Sequence, residues 1–403
     1  MSSTKEESDG LIKHEAEAGT SVWSSGIALA KAINGAGCFV MPFAAQKAGW
    51  GGYMLCLSVC VGVGAFSLEN LFDLKRLKGA QSYGELARLT LESPAAGGVA
   101  RALVGLCTLG VIAAYVAFIA TTIATGFGTS RRWHAVLAAG CVVLPTTFLG
   151  RVHEIASGAK IGISAVLLGS IVVVVSGLAT TSVAAPHNIP PPFTSLSGFN
   201  QCFGPVAFLY CVHGNVFPLE NAMADPTKFG QVGRIIFAVT GLLNLAFGIA
   251  AAALYPNVTS VVVNDIRHPF PRILAQICVC GDLISSYPII FTAAVQNIDT
   301  PTDKHNEVIA FSRTRALIFV ASVLIALDES FVAIVGIVGG FGQAVLAFVF
   351  PPLMVAAATG RSLSTFSAII QGSIFVLGVV LVFSSTVADV ATIIADHRSP
   401  RGN

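Results

Sequence analysis

Long apolar runs alternate with short polar intervals along almost the whole chain. Eleven such runs can be recognised, and most come near the ~20 residues that an α-helix needs to cross a bilayer. The pattern therefore predicts an all-α integral membrane protein with eleven transmembrane helices. The runs lie at about 22–49, 53–72, 102–128, 133–149, 158–180, 198–221, 232–255, 270–295, 314–327, 331–359 and 364–387, of which 133–149 and 314–327 are short.

Polar segments frame these runs. Residues 1–20 mix Lys, Glu, Ser and Asp and have little to bury, which predicts a disordered cytoplasmic tail. This tail has no apolar core followed by a small-residue cleavage site, so no signal peptide is expected. Residues 82–92, in the longest polar interval, predict an amphipathic helix at the membrane interface. We expect one transmembrane domain at 21–387 and a short C-terminal tail at 388–403.

Lys and Arg are distributed unevenly between the loops on the two sides. With the N-terminus in the cytoplasm, fifteen of these residues fall in inner segments and six in outer ones. Because cytoplasmic loops carry the excess of positive charge, the N-terminus is expected in the cytoplasm. Eleven helices then place the C-terminus outside the cell or in a lumen. The sequon that starts at Asn257 falls in an outer loop and is a candidate glycosylation site.

Composition separates this chain from soluble proteins. Hydrophobic residues make up 54% and charged residues only 11%, against a usual charged share of about 25%. The net charge of +2 says nothing about nucleic acid, but no cluster of Lys and Arg is accompanied by a stripe of aromatic residues, so no nucleic-acid partner is expected. The nine cysteines lie mostly in apolar runs, where Cys acts as a small hydrophobe, so neither a disulfide framework nor a metal site is expected. Without a nucleophile elbow or a His-Glu-x-x-His pattern, neither an enzyme nor a cofactor is expected.

Two of the apolar runs are interrupted at their centres. The first contains Asn-Gly-Ala-Gly at 34–37, and the sixth contains His-Gly-Asn at 213–215 followed by Pro218. A hydrocarbon interior tolerates a broken helix only where the freed N–H and C=O groups face protein, water or a ligand. If the first ten helices form two five-helix halves, both breaks occupy equivalent positions, which is typical of a transporter's central site. A proline kink and close small-residue helix packing are the alternatives.

The first break is suited to bind an anion. Unpaired N–H groups around Gly35, Ala36 and Gly37 begin a half-helix and present partial positive charge. The glycines also let a ligand approach the backbone closely. A carboxylate is therefore the group that we expect to bind there.

Four stretches carry recognisable motifs. Residues 31–42 (KAINGAGCFVMP) are followed by Ala-Gly-Trp at 48–50, and residues 110–120 (GVIAAYVAFIA) hold a central Tyr. Residues 208–229 contain HGNVFPLEN and then DP and KF, whereas residues 341–352 (FGQAVLAFVFPP) close on a double Pro. Together these stretches resemble the amino acid/auxin permease family of the amino acid–polyamine–cation transporters. The FPLEN…DP…KF motif is similar to its proton-coupled branch, and HGNVFP to its vesicular branch.

This resemblance implies a 5+5 inverted-repeat core with broken helices 1 and 6, plus an eleventh helix. It also implies a substrate site in which helix 1 holds the substrate carboxylate, Tyr115 adds its hydroxyl, and residues 212–215 face the amino group and side chain. One departure is Cys211-Val212, where many proton-coupled relatives have an acidic residue followed by Gly. The implied substrate-binding residues are Asn34, Gly35, Ala36, Gly37, Tyr115, Val212, His213, Gly214 and Asn215.

Ionisable side chains inside membrane helices are costly and usually functional. The proton-coupling candidates are His213, Glu220 and Asp282; the ordinary pKa of His, about 6.5, suits a proton carrier. The alternatives are a neutral His213 that satisfies local backbone groups and a Glu220 that pairs with a basic residue. Lys31, one turn before the first break, either pairs with a carboxylate or extends to the cytoplasmic side.

These observations predict a secondary active transporter of small, neutral amino acids, driven by protons, with alternating access around helices 1 and 6. One alternative is a sodium-coupled transporter, for which Ser285 and Ser286 offer hydroxyl oxygens, although such serines often hydrogen-bond their own backbone. Another is an amino acid sensor with little transport. The expected partners are an amino acid, the coupling ion and the lipid of a plasma, lysosomal or vacuolar membrane.

Overall fold

The protein is almost entirely helical within its described residues. The computed structural model describes residues 20–129, 131–148, 152–180, 189–258, 260–298, 313–328, 331–360 and 364–398. We number the helices 1 to 11 along the chain; a short helix, Tyr83–Thr90, lies between helices 2 and 3. Their bounds are Val22–Ile33 with Met41–Ala48 (helix 1), Trp50–Lys78 (2), Pro94–Phe127 (3), Arg132–Val143 (4), Val152–Thr180 (5), Leu196–Tyr210 with Phe217–Asn221 (6), Phe229–Leu254 (7), Pro269–Ile298 (8), Arg313–Asp328 (9), Phe331–Thr359 (10) and Thr365–Arg398 (11).

Nine helices in the described part of the chain are long and apolar enough to cross a membrane. The other two are helix 9, with 16 residues, and helix 4, with 12 residues and a 3₁₀ extension at Leu144–Phe148. These are the two segments that the sequence pattern marked as short. The prediction of an all-α integral membrane protein is confirmed, whereas the count of eleven crossings and the inverted repeat stay predictions.

Several helices extend past the apolar runs because their polar flanks are helical too. Helix 2 continues to Lys78, where Gly79 caps it in a left-handed conformation with φ of 68°. Helix 11 continues to Arg398, beyond the expected end at residue 387. The short helix between helices 2 and 3 begins after Ser82, whose side chain accepts a hydrogen bond from the Glu85 N–H across 3.3 Å.

Helix 1 breaks where the sequence predicted. Its first half ends at Asn34, whose N–H donates to the Ala30 carbonyl across 2.7 Å, and Gly35 then takes an extended conformation. A 3₁₀ turn, Ala36–Val40, leads into the second half, which carries Pro42 in its first turn. Proline is favoured there because the first N–H groups of a helix have no intrahelical acceptor. The break leaves the Ala36 N–H free to bind another group.

Helix 6 breaks at its centre in a similar way. A 3₁₀ turn, Val212–Gly214, separates its halves, and Pro218 lies in the first turn of the second half. The second half of helix 1 packs on the first half of helix 6, and the first half of helix 1 contacts the second half of helix 6. The two breaks therefore lie side by side.

The helix ends meet on two opposite sides of the bundle. Where helix 1 begins, the Thr20 N–H donates to the Ala222 carbonyl across 2.7 Å, and the Ala224 N–H donates to the Thr20 carbonyl across 3.0 Å. Where helix 1 ends, the Gly51 N–H donates to the Pro192 carbonyl across 2.9 Å. We call these the N side and the C side. Contacts between distant segments thus close the bundle at both ends.

Candidate substrate site

A cavity lies where helices 1 and 6 break. Its volume is about 140 Å³, and helices 3, 8 and 10 complete its wall. The residues that line it beyond the breaks include Ala28 and Ala32 of helix 1, Leu219 of helix 6, and Ile289 and Ile290 of helix 8. All five belong to the parts of these helices that lie nearer the N side, so the cavity extends from the breaks in that direction.

The carboxylate of Asp282, on helix 8, occupies the break of helix 1. Its Oδ2 atom accepts a hydrogen bond from the Ala36 N–H across 3.1 Å, and its Oδ1 atom pairs with the Lys31 ammonium group. Asp282 is fully buried and Lys31 is 9% exposed. The break thus binds a carboxylate of the protein itself, which is the kind of group that we expected its N–H groups to bind.

Helix 5 closes over this ion pair at a glycine. A Cβ atom on Gly162 would overlap Lys31 Cε and would lie 2.7 Å from Asp282 Oδ1. Real Cβ contacts are not that short, so any larger residue at this position would displace the pair. Three helices therefore converge on Lys31 and Asp282, and the pair is held by packing as well as by charge.

The rest of the cavity wall is mainly apolar. Lys31 is the one charged side chain at the wall among the described residues, and Asp282 neutralises it. The large apolar side chains include Val111 of helix 3 and Phe208 of helix 6. A bound side chain would therefore meet aliphatic and aromatic groups without net charge. The uncharged polar side chains at the wall belong to Tyr115, Asn215, Ser286 and Gln343.

Most of the implied substrate-binding residues line this cavity, but Asn34 does not. Its Oδ1 atom accepts a hydrogen bond from Asn244 Nδ2 across 3.0 Å, and the same Nδ2 donates to the Tyr210 hydroxyl across 2.8 Å. This buried cluster ties the break of helix 1 to helices 6 and 7. The residues that do line the cavity are Gly35, Ala36, Gly37, Tyr115, Val212 and Asn215.

His213 and Gly214 also lie away from the cavity. The His213 side chain is fully buried and faces helix 2, where its Nε2 atom lies 3.0 Å from the Gly64 carbonyl oxygen. Its Nδ1 atom has no hydrogen-bond partner among the described residues. Gly214 packs against Val104 of helix 3 and Leu346 of helix 10. The structure therefore separates His213 from the group that occupies the first break.

Glu220 closes the N side of the bundle. Its carboxylate pairs with Lys75 of helix 2, and the same ammonium group bonds Asn221 Oδ1. The side chains of Lys75 and Glu220 are 8% and 3% exposed. The ammonium also lies over two aromatic rings, 5.5 Å from the centroid of Phe217 and 5.7 Å from that of Phe72. The pair joins helix 2 to the second half of helix 6 on the side toward which the cavity extends.

Ser285 and Ser286 hydrogen-bond the backbone of their own helix. Both hydroxyl groups donate to the Asp282 carbonyl, each across 2.8 Å. Ser286 also lies at the cavity wall, and a sodium site at these hydroxyls stays a prediction. Within the described ranges, no group of three or more His, Cys, Asp or Glu side chains is arranged to hold a metal ion.

Two predictions fall at the edge of the described residues. Asn257 is exposed in the segment that follows helix 7, but Thr259 of the same sequon lies outside the described residues, so glycosylation stays a prediction. The cytoplasmic tail at 1–20 lies outside them except for Thr20.

Sequence reasoning missed Gln343 of helix 10. This residue is 4% exposed and lines the cavity. The signal that could have identified it is a polar residue in the otherwise apolar stretch 341–352. That stretch entered the sequence analysis only as a motif similar to the family's tenth helix. Sequence reasoning named both Lys31 and Asp282 but did not identify them as partners.

The sequence matches one protein family along most of its length. The profile of the family described as transmembrane amino acid transporter protein matches residues 18–391. The chain belongs to this family. The predicted resemblance is confirmed, as is the prediction that the protein is not an enzyme, because the family and the curated relatives that match the chain are transporters.

Curated relatives match the chain at low identity. Vacuolar amino acid transporter 3 of Saccharomyces cerevisiae is 21% identical over 350 residues, which cover 81% of this chain and 50% of that protein. Amino acid transporter AVT3A of Arabidopsis thaliana is 21% identical over 371 residues, 88% of this chain and 86% of that protein. Vacuolar amino acid transporter 3 of Schizosaccharomyces pombe is 23% identical over 342 residues, 81% and 52% of the two chains. This chain spans about half the length of the two yeast relatives.

Proposed function

We propose that this protein is a proton-coupled secondary transporter of small, neutral amino acids. The observation that carries the proposal is the Asp282 carboxylate, which accepts a hydrogen bond from the Ala36 N–H across 3.1 Å. An N–H group at a helix break that binds one carboxylate offers the same partial positive charge to another. The carboxylate of an amino acid is the group that we propose to bind there, in exchange for Asp282.

The cavity favours a small, neutral substrate. Its volume is about 140 Å³, and a ligand site of limited volume selects by size. Its wall carries aliphatic side chains such as Val111 and Ile290, and Lys31, the one cation among the described residues that line it, is paired. A charged substrate side chain would therefore be buried without a partner, which is costly. We propose that uncharged side chains of modest size are accepted.

Asp282 is the proton carrier that this geometry favours. The carboxylates of Asp282 and of the substrate would compete for the Ala36 N–H, and two carboxylates in one site repel each other unless one takes a proton. Protonation of Asp282 would remove this repulsion and leave Lys31 to balance the substrate carboxylate. His213 and Glu220 do not line the cavity. The His213 ring contacts the Gly64 carbonyl, and the Glu220 carboxylate pairs with Lys75. We therefore assign the coupling proton to Asp282.

Closures on both sides support alternating access. On the N side, Lys75 and Glu220 join helices 2 and 6, and Thr20 pairs with the end of helix 6. On the C side, the Gly51 N–H binds the loop before helix 6 at Pro192. We propose that each closure opens in turn while the breaks of helices 1 and 6 hold the substrate.

We place the protein in a vacuolar or lysosomal membrane with its N-terminus in the cytoplasm. Two of the three relatives carry the word vacuolar in their names. The excess of Lys and Arg in one set of loops supports the orientation. Transport out of an acidic lumen would then use the proton gradient of such a compartment.

Reconstitution into liposomes tests the proposal. Uptake of a panel of labelled amino acids is measured under an imposed pH gradient and, separately, under an imposed sodium gradient. We expect concentrative uptake of small neutral amino acids under the pH gradient alone. Uptake that requires sodium would reject proton coupling and favour the alternative of a sodium site at Ser285 and Ser286. Saturable binding without uptake under either gradient would instead indicate a sensor.

A further inference from the structure

Gln343 lines the substrate cavity, and its side chain carries a buried hydrogen-bond acceptor without a partner in the described part of the chain. The residue is 4% exposed, lines the cavity, and has no hydrogen-bond partner for its Oε1 atom among the described residues. A buried carbonyl without a partner costs free energy, and most buried polar groups in proteins are satisfied. A ligand bound in the cavity that Gln343 lines can supply the missing donor once the side-chain amide turns its oxygen toward it.

The backbone of helix 10 holds Gln343 in this position. The helix changes from α to π geometry over Val338–Gln343, so its turns are wider there. Such π turns are rare in proteins, and those that occur often lie at functional sites. Two glycines pack this segment against neighbouring helices: Gly339 lies against Phe208 of helix 6, and Gly342 lies against Cys107 of helix 3. Gln343 thus lies on a π-helical segment that is packed tightly between helices 3 and 6.

The chemistry of the cavity indicates which group of the substrate binds the Gln343 amide oxygen. An amide oxygen accepts hydrogen bonds, so it binds N–H or O–H groups and not a carboxylate. The carboxylate end of the cavity lies at Gly35, Ala36 and Gly37 on helix 1, whereas Gln343 lies on helix 10. Every α-amino acid carries an ammonium group beside its carboxylate, and the remaining wall is mainly apolar.

We propose that Gln343 Oε1 accepts a hydrogen bond from the ammonium group of the substrate. The residue then selects α-amino acids over carboxylic acids that lack the amine, because those would leave the Gln343 acceptor unpaired. The proposal rests on the proposed amino acid transport and adds a substrate-binding residue on helix 10 to those on helices 1, 3 and 6.

Binding by purified protein tests this assignment. Dissociation constants are measured for alanine, glutamine and leucine, and for the desamino acid of each, with wild type and Gln343→Met. Methionine keeps a similar length but removes the acceptor. Since a hydrogen bond to a charged group contributes more than a neutral one, we expect amino acid affinity to fall about tenfold or more. Affinity for the desamino acids is expected to stay the same, so discrimination between the two classes falls.

Two further variants control for folding. Gln371 on helix 11 is 5% exposed and does not line the cavity, so Gln371→Met is expected to bind all ligands as wild type does. Gln343→Glu keeps an acceptor and is expected to keep the discrimination. Unchanged discrimination in Gln343→Met would overturn the inference, and so would a loss confined to glutamine, which would assign Gln343 to the side chain. A wild type that binds no amino acid would instead reject the proposed function.

Discussion

The Asp282 carboxylate and the Ala36 N–H are joined across the break of helix 1 by a hydrogen bond of 3.1 Å. Asp282 comes from helix 8, so a side chain far away in the sequence fills the backbone site that the break creates. Its second oxygen holds Lys31. A substrate carboxylate can reach the Ala36 N–H only if Asp282 withdraws or is neutralised. This exchange is the centre of the proposed mechanism.

The first prediction concerns the stability of the Lys31–Asp282 pair. Removing one partner leaves a buried charge uncompensated, which typically costs about 3–5 kcal/mol. We therefore expect Lys31→Met and Asp282→Leu each to lower the free energy of unfolding in detergent by an amount of this order. The double variant is expected to recover much of the loss, because an apolar pair of similar volume often replaces a buried ion pair without penalty. Additive losses would contradict the buried pairing.

The second prediction uses the glycine that faces this pair. A Cβ atom on Gly162 would lie 2.7 Å from Asp282 Oδ1, so we expect Gly162→Ala to displace the carboxylate and to lower stability by about 1–3 kcal/mol. Gly281, next to Asp282 on helix 8, has no atom within 4 Å of a Cβ at its position. Gly281→Ala is the matched control and is expected to keep or raise stability, by up to about 1 kcal/mol, because Ala favours the helix more than Gly does. Equal effects of the two alanines would argue against the tight approach of helix 5.

Local chemistry explains why the breaks were predictable. Gly35 and Pro42 in helix 1, and Gly214 and Pro218 in helix 6, interrupt helices by their own backbone properties. The apolar runs likewise predict membrane helices from their own length and composition, whatever they pack against. Helices 4 and 9 were uncertain because a short run does not distinguish a crossing from a buried helix.

Side-chain partners were less predictable because they depend on how helices pack. Lys31 and Asp282 are 251 residues apart in the sequence, and no local pattern relates them. His213 lies in the predicted break, yet the turn of the chain directs its ring to Gly64. Gln343 reaches the cavity through a π turn of helix 10 that the sequence did not indicate. The break positions were therefore recognisable, whereas the direction of each side chain was not.

The third prediction concerns the closure on the N side. Lys75 and Glu220 form a buried pair, so we expect Lys75→Met to favour opening of this side. A Cys introduced at Ala28, which lines the cavity, should then react several-fold faster with a water-soluble thiol reagent. The exposed Cys141 is replaced by Ser in all variants.

The Arg234–Glu69 pair provides the control for this experiment. Its atoms are 3.6 Å apart, and its side chains are 59% and 33% exposed, so water screens it and it contributes little. Arg234→Met is expected to leave the labelling rate at Ala28→Cys unchanged. An acceleration as large as that of Lys75→Met would show that loss of any charge opens the protein.

The fourth prediction separates His213 from proton coupling. His213 Nε2 lies 3.0 Å from the Gly64 carbonyl, outside the cavity. Gln places an amide nitrogen near the same position, so His213→Gln is expected to keep this hydrogen bond and the pH dependence of uptake. The measurement is the initial uptake rate in liposomes across a range of external pH. An uptake rate of His213→Gln that does not change with pH would indicate that His213 carries the coupling proton.

Uptake by liposomes that contain Asp282→Asn tests the central claim most directly. Asn keeps the shape of the side chain and an oxygen for the Ala36 N–H, but it cannot carry a proton. We predict that wild type accumulates a neutral amino acid above equilibrium under an imposed pH gradient. The variant should only equilibrate it, at a rate that the gradient does not change. Accumulation by Asp282→Asn equal to that of wild type would contradict the account.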